Sequence, residues 1–297
     1  MRTDISFETE DGTTLRGWHY RPPSGGRHPT IVMAHGFSAV KEMHLDDFAK
    51  AFAAAELGAL VFDHRGFGAS DGKVRQEVDP EQQIRDWRDA LSFAETLGSV
   101  DGDRLGVWGT SYSGGHALVL GAVDRRIKCV VAQVPMVNGP ANARRLIRAD
   151  LLAPTLRLIE GDRRARWAGG AAALMPVVSA DPAGPAALPT EDSYTWFTHT
   201  AAARAPAWRN EVTLRSLDLF TGYDPSALIA AISPTPLLMI VGLADHLTPA
   251  DLALAAYERA LVPKKLVTLR GGHFDAYVAE FAAASAAAID WFGAHLR

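Results

Sequence analysis

The feature that most constrains this chain is an alternation. Short, continuously apolar runs recur along it ("PTIVMAHG", "ALVFDH", "RLGVWG", "IKCVVAQVP", "PLLMIVGL" and "KLVTLRG"), with longer helix-like stretches between them. An apolar run of strand length with no polar face belongs to a strand covered on both sides. Strand, helix, strand in repetition predicts an α/β fold, a doubly wound and mostly parallel sheet with helices on both faces. Helices are expected over approximately Leu45–Leu57, Pro80–Leu97, Tyr112–Val123, Pro249–Leu261 and Tyr277–His295. Ahead of them, "DISFET" and "TTLRGWHYR" flank the turn signal "EDG" and read as a β-hairpin.

The rhythm breaks once. Between "VVAQVP" and "PLLMIVG" lie about a hundred residues, far more than a crossover needs. This stretch has no strand-length apolar run, so it reads as a mainly helical insertion over residues 136–233, with 1–135 and 234–297 forming the core. An insertion at the edge of a doubly wound sheet is placed to act as a lid; the alternative is a helical decoration that only extends the core.

The chain has 297 residues, enough for one large domain with such an insertion. A net charge of −4 removes the basic excess that a nucleic-acid surface needs. The single cysteine, Cys129, has no partner for an internal disulfide. The first residues, "MRTDISFETEDG", lack the apolar core of a signal peptide, and no apolar run reaches the roughly 18 residues of a membrane span. The expectation is a cytoplasmic protein acting on a small-molecule substrate, without nucleic acid or membrane; a homo-oligomer stays an open alternative.

One serine stands out. In "VWGTSYSGGHALVL", Ser111 sits between an apolar strand and an apolar helix, in a nest of small residues. A nucleophile on a strand-to-helix turn takes unfavourable backbone angles, and its neighbours two residues away must be small. Gly109 fits, and Ser113 replaces the usual glycine on the other side. The following helix directs its free N–H groups at the turn. A serine hydroxyl needs a base, and the base needs an orienting carboxylate. In this architecture the chain order is Ser, acid, His. Asp245 follows the run "LLMIVG", and His273 follows "KLVTLRGG". Both fall at carboxyl ends of expected parallel strands, the edge where such sheets bind ligands. Oxyanion donors are expected from the N–H of Tyr112, after the nucleophile, and of Phe37, after "AHG".

These motifs resemble the α/β-hydrolase superfamily over nearly the whole chain: "HGF" at 35–37, "DHRGFGASDG" at 63–72, "GTSYSGG" at 109–115, "GLADHLTP" at 242–249 and "GGHF" at 271–274. Within it, the Ser-Tyr elbow and the N-terminal hairpin look like the dienelactone hydrolase and X-Pro dipeptidyl-peptidase group. The resemblance implies a nucleophile at Ser111, an acid at Asp245, a base at His273 and oxyanion donors at Phe37 and Tyr112, with no cofactor.

Rivals are weighed against these residues. Asp63 and Asp275 are alternative acids; Asp63 with Arg65 is expected instead to hold the loop after its strand. His35 is expected to brace the oxyanion loop, His116 to be packed and His246 to be incidental. "GFGASDG" lacks the spacing and the helix of a dinucleotide loop, and the histidines show no metal-ligand spacing. The leading expectation is a serine hydrolase cleaving an ester or thioester of a medium-sized apolar or aromatic acyl group. C–C hydrolysis, peptidase action and acyl transfer use the same triad, and a non-catalytic binding member of the fold is the reading from another class. Glu191–Asp192 is the candidate acidic pair that a peptidase would need for a substrate amine. Trp167, Tyr194, Trp196, Phe197, Trp208, Phe220 and Tyr223 either line the pocket or form the insertion's own core.

Overall fold

The computed structural model describes residues 1–296. Its centre is an eight-stranded sheet in the order β1-β2-β4-β3-β5-β6-β9-β10. The strands are β1 (Arg2–Glu8), β2 (Thr14–Tyr20), β3 (His28–Ala34), β4 (Gly58–Phe62), β5 (Val100–Thr110), β6 (Ile127–Gln133), β9 (Leu237–Gly242) and β10 (Lys264–Leu269). The remaining pair, β7 (Leu174–Met175) and β8 (Val212–Thr213), is a two-residue ribbon in the long insertion. β1 and β2 form the expected hairpin, and β2 runs antiparallel to β4; every other pairing in the eight-stranded sheet is parallel.

Burial explains why the apolar runs became strands. Every residue of β4 and of β9 is buried. Side chains alternate between the sheet's faces, so each face feeds its own core, one around Met33, Phe48 and Trp108 and the other around Val32, Leu60 and Trp87. The covering helices are α1 (Leu45–Ala54), α2 (Pro80–Thr96), α3 (Tyr112–Val123), α8 (Ala250–Arg259) and α9 (Phe281–His295). α2 starts as its sequence dictates: Pro80 opens it, and the Asp79 carboxylate accepts from the Gln82 N–H.

Two helix starts differ from the periodicity. Pro249 is the cap of α8 rather than its first residue. Asp275–Tyr277 form a separate 3-10 turn before α9. There the Tyr277 hydroxyl is tied to Thr110 at 2.6 Å, and the Glu280 carboxylate accepts from the N–H groups of Arg270 and Gly271, so side-chain bonds to the sheet edge delay the start of the helix.

Residues between β6 and β9 contain α4 (Gly139–Leu146), α5 (Ala149–Trp167), α6 (Glu191–Arg204), α7 (Leu214–Phe220) and a 3-10 segment over Pro225–Ile232. Parallel register aligns the strand ends beneath them: Ala34 pairs with Phe62 and Gly109, Gln133 with Ile240, and Gly242 with Leu269. Loops carrying Phe37, Asp63, Ser111, Asp245 and His273 therefore leave one edge of the sheet. Among the described residues no helix is long and apolar enough to cross a membrane.

Candidate active site

Ser111 is the cap of α3, with φ 58° and ψ −121°. A non-glycine residue held there carries strain of order 1–3 kcal/mol. The surroundings enforce it: the Ser111 N–H donates to the Gln133 carbonyl at 2.9 Å, and the Ser111 carbonyl accepts from the N–H groups of Gly114 and Met136, each at 2.9 Å. A Cβ on Gly109 would overlap the Ser113 carbonyl, and one on Gly36 would lie 2.6 Å from Ser111 Cβ and 3.0 Å from its Oγ. The elbow thus needs both glycines, and its hydroxyl faces the loop after β3.

Asp245 and His273 meet as the sequence predicts. His273 Nδ1 donates to Asp245 Oδ2 at 2.7 Å, and both side chains are about 1% exposed. That bond leaves Nε2 as the ring's free nitrogen. The other carboxylate oxygen, Oδ1, accepts from the N–H groups of Leu247 (2.9 Å) and Thr248 (2.8 Å). Ser111 Oγ has no hydrogen-bond partner among the described residues; the fold brings acid and histidine together while the serine hydroxyl is unengaged.

The rival acids are occupied elsewhere. Asp275 accepts from the Gly272 N–H at 2.7 Å and shapes the loop before His273. Asp63 binds the Lys41 ammonium at 2.6 Å and the Lys41 N–H at 2.8 Å, as well as the Ala69 N–H at 3.0 Å. Asp63 therefore holds its own loop as expected, but its cation is Lys41; Arg65 reaches Asp86 and Asp11 instead. The buried Lys41–Asp63 pair fixes the loop that carries Phe37. His246 is exposed and lines the cleft that also holds Glu191 and Asp192.

His35 braces the same loop. Its Nδ1 accepts from the Gly36 N–H and its Nε2 donates to the Met43 carbonyl, both at 2.8 Å. Burial holds its pKa down, at about 3. Below the elbow, the Ser113 hydroxyl donates to the His35 carbonyl at 2.5 Å, and His64 Nε2 lies 3.0 Å from Ser113 Oγ. His116 is packed, bonded to the Tyr223 hydroxyl at 2.7 Å and to Gln83 at 2.9 Å. The N–H of Tyr112 is the first of α3, a position without an intrahelical acceptor. The N–H of Phe37 likewise has no acceptor among the described residues.

A cavity of about 220 Å³ opens beside Ser111, Phe37 and Tyr112. Its walls come mostly from the insertion and are aliphatic, including Leu146, Leu152, Ile159, Leu188 and Leu217. Leu151, Leu156 and Leu158 of α5 line it while remaining solvent-exposed, so they form its rim. Of the insertion's seven aromatic rings considered above, Phe220 alone is among the lining residues. Trp196 stacks on Phe274 with centroids 4.8 Å apart, Phe197 on Trp208 at 5.1 Å, and Trp167 is 91% exposed. Arg148 is the one charged residue in the lining. Glu191 and Asp192 face a different cleft, with His44, His199 and Phe274.

Three features escaped the sequence reading. Thr248 Oγ1 lies 2.9 Å from Asp245 Oδ2 and 3.1 Å from His273 Nδ1, while also reaching the Val134 carbonyl at 3.0 Å. The signal was present in "DHLT", where a carboxylate followed by a hydroxyl three residues later makes a local turn. Lys41 as the partner of Asp63, and Asn142 in the cavity wall, carried no local signal; both depend on long-range packing.

The parallel sheet, the strained serine at the end of its central strand and the Asp-His pair on later loops define an α/β-hydrolase. Solved structures agree: alpha/beta hydrolase GrgF from Penicillium sp. sh18 matches with a TM-score of 0.86 at 27% identity, covering 100% of this chain and 99% of that one. The chain belongs to the X-Pro dipeptidyl-peptidase (S15) family, whose model matches residues 11–275. It is also 31% identical over 278 residues to a thiohydrolase of Eupenicillium brefeldianum, covering 92% of this chain and 88% of the relative. Polyketide transferase grgF of a Penicillium species is 30% identical over 282 residues, covering 92% and 90%.

Proposed function

We propose that this protein is a serine hydrolase that cleaves a thioester or ester of an aliphatic acyl chain, a small-molecule substrate, through an acyl-enzyme. The carrying observation is the aliphatic cavity that opens on Ser111, next to a buried Asp245–His273 pair.

His273 Nε2 takes the Ser111 proton as Oγ attacks the carbonyl carbon. The step requires Ser111 Oγ to turn toward the imidazole, and such contacts tighten when substrate binds. Asp245 fixes the tautomer and stabilises the imidazolium. The N–H groups of Phe37 and Tyr112 receive the negative oxygen; losing one such donor typically costs about 3–4 kcal/mol of transition-state stabilisation. The intermediate collapses, expelling the thiol or alcohol with the proton from His273. Water, deprotonated by the same histidine, then releases the carboxylic acid. An acceptor hydroxyl or amine in place of water would turn the same acyl-enzyme into a transferase, and the names of the relatives span both outcomes. Residues 136–233 act as the lid that encloses the chain. No cofactor enters these steps.

A peptidase reading fits less well. An aminopeptidase must hold a substrate ammonium, yet the cavity lining contains no carboxylate, and Glu191–Asp192 open elsewhere.

The test is turnover of N-acetylcysteamine thioesters and p-nitrophenyl esters from two to twelve carbons, with intact-mass detection of a fluorophosphonate adduct. The expected result is one adduct, lost in Ser111→Ala, and kcat/KM rising with chain length. Absence of both adduct and turnover in folded protein would overturn the reading.

A further inference from the structure

Apart from Ser111, the apolar cavity offers a polar side chain with an unpartnered atom open to it. Asn142, on α4, is 2% exposed and lines the cavity. Its Nδ2 donates to the Leu247 carbonyl at 3.0 Å. A carbonyl oxygen accepts only, so this bond fixes which end of the amide faces the loop and which does not. Oδ1 is left with no hydrogen-bond partner among the described residues. Of the other uncharged polar residues in the wall, Thr155 donates to the Leu151 carbonyl, Thr221 to that of Asp218, Thr248 serves the Asp-His pair, and Ser111 is the proposed nucleophile; the Tyr112 hydroxyl also lacks a partner among the described residues, but it is sealed from solvent and so from a ligand in the cavity.

An acceptor that the protein leaves unpartnered but open to the cavity bonds water in the empty protein, and a chain that displaces that water without supplying a donor loses the bond, whereas a chain that supplies one keeps it. We infer that Asn142 selects acyl chains bearing a hydroxyl, which donates to its Oδ1. The inference rests on the acyl-chain reading above and narrows it. Chemically, the substrate is then an oxygenated aliphatic acyl group rather than a simple fatty acyl group. Asn142 also bonds the carbonyl of Leu247, two residues from Asp245, so a hydroxyl seated on it engages the loop that carries the acid. Discrimination comes from a site built to bond a hydroxyl, which disfavours the chain that lacks it.

The test is direct binding to Ser111→Ala protein, measured by calorimetry with octanoyl-N-acetylcysteamine and its 3-, 5- and 7-hydroxy forms. One of the hydroxy forms is expected to bind about tenfold tighter than the plain chain, the size of one good neutral hydrogen bond. In Ser111→Ala/Asn142→Leu that ratio is expected to fall to about one. Equal affinity for plain and hydroxylated chains in the single variant would overturn the inference while leaving the acyl-chain reading intact. A preference that survives Asn142→Leu would overturn the assignment to Asn142. Failure of every acyl ligand to bind would overturn the acyl-chain reading itself, and this inference with it. The single-variant comparison stands even if the double variant fails to fold.

Discussion

Helices α5 and α6 belong to the same insertion, yet they are built differently. α6 is fastened to the core. Trp196, Phe197, Ser193 and Thr200 are buried, Arg204 grips Asp47 of α1, and Trp196 packs against Phe274 and His35. Nearby, the Trp208 indole donates to the Ser38 carbonyl, at 3.0 Å. α5 is nineteen residues long but buries only Ile159 and Asp162, and Pro154 interrupts its backbone bonding. α5 lines the cavity and α6 does not. The insertion thus separates two tasks: one helix holds the Phe37 loop in place, and the other offers an adaptable apolar wall.

The sharpest way to break this comparison is to ask whether the cavity under α5 is where chemistry happens. Ser111→Ala is expected to lower kcat by at least about a thousandfold with an unchanged melting curve, read by single-turnover kinetics and calorimetry. A variant that kept activity would detach the α5 wall from the reaction. Next in size, Trp196→Ala is expected to destabilise the protein by about 3–5 kcal/mol in urea unfolding, because it empties a packed site between α6 and the sheet edge. A loss below about 1 kcal/mol would mean that α6 is no better fastened than α5.

Two buried histidines add a pH dependence: His35, against Trp196 of α6, and His64, beneath the serine turn. Burial holds His35 neutral, with its pKa near 3, and His64 likewise, with its pKa near 4. The unfolded chain takes up these protons near pH 6.5, before the folded one does. Stability from this source is therefore complete above about 6.5 and is lost as pH falls toward 3–4, by up to about 1.4 kcal/mol per pH unit for each histidine. Urea midpoints measured across that window should fall, and His64→Gln should flatten the slope. The smallest effect is expected on the open helix. Leu158, 52% exposed on the rim, should cost within about 0.5 kcal/mol of stability as Leu158→Ala while shifting the preferred acyl length. An unchanged chain-length profile would remove α5 from substrate selection.

What could be read from the sequence follows the same division. The strands announced themselves because residues such as Ile31–Ala34 and Leu237–Val241 are apolar without interruption, and Ser111, Asp245 and His273 each stand just past such a run. The Asp245–His273 contact was legible for that reason. Side-chain partners across the fold were not. Nothing in "AVKE" marks Lys41 as the cation for Asp63, since the bond joins loops after different strands. Nor could composition say which rings of the insertion face the cavity. Trp196 and Leu158 are both apolar residues on helices, and only their packing separates an anchor from a wall.

Ser113 has a last consequence. Its hydroxyl bridges the turn that carries Ser111 and the backbone of His35, just before Phe37. A glycine there would remove that tie and leave the Ala34–Gly109 strand pairing to hold the two segments together as the protein warms. With the strut in place, their alignment is settled once, during folding, rather than searched for at each encounter with substrate. Heating should then leave the elbow and the Phe37 loop in register until the sheet edge itself gives way.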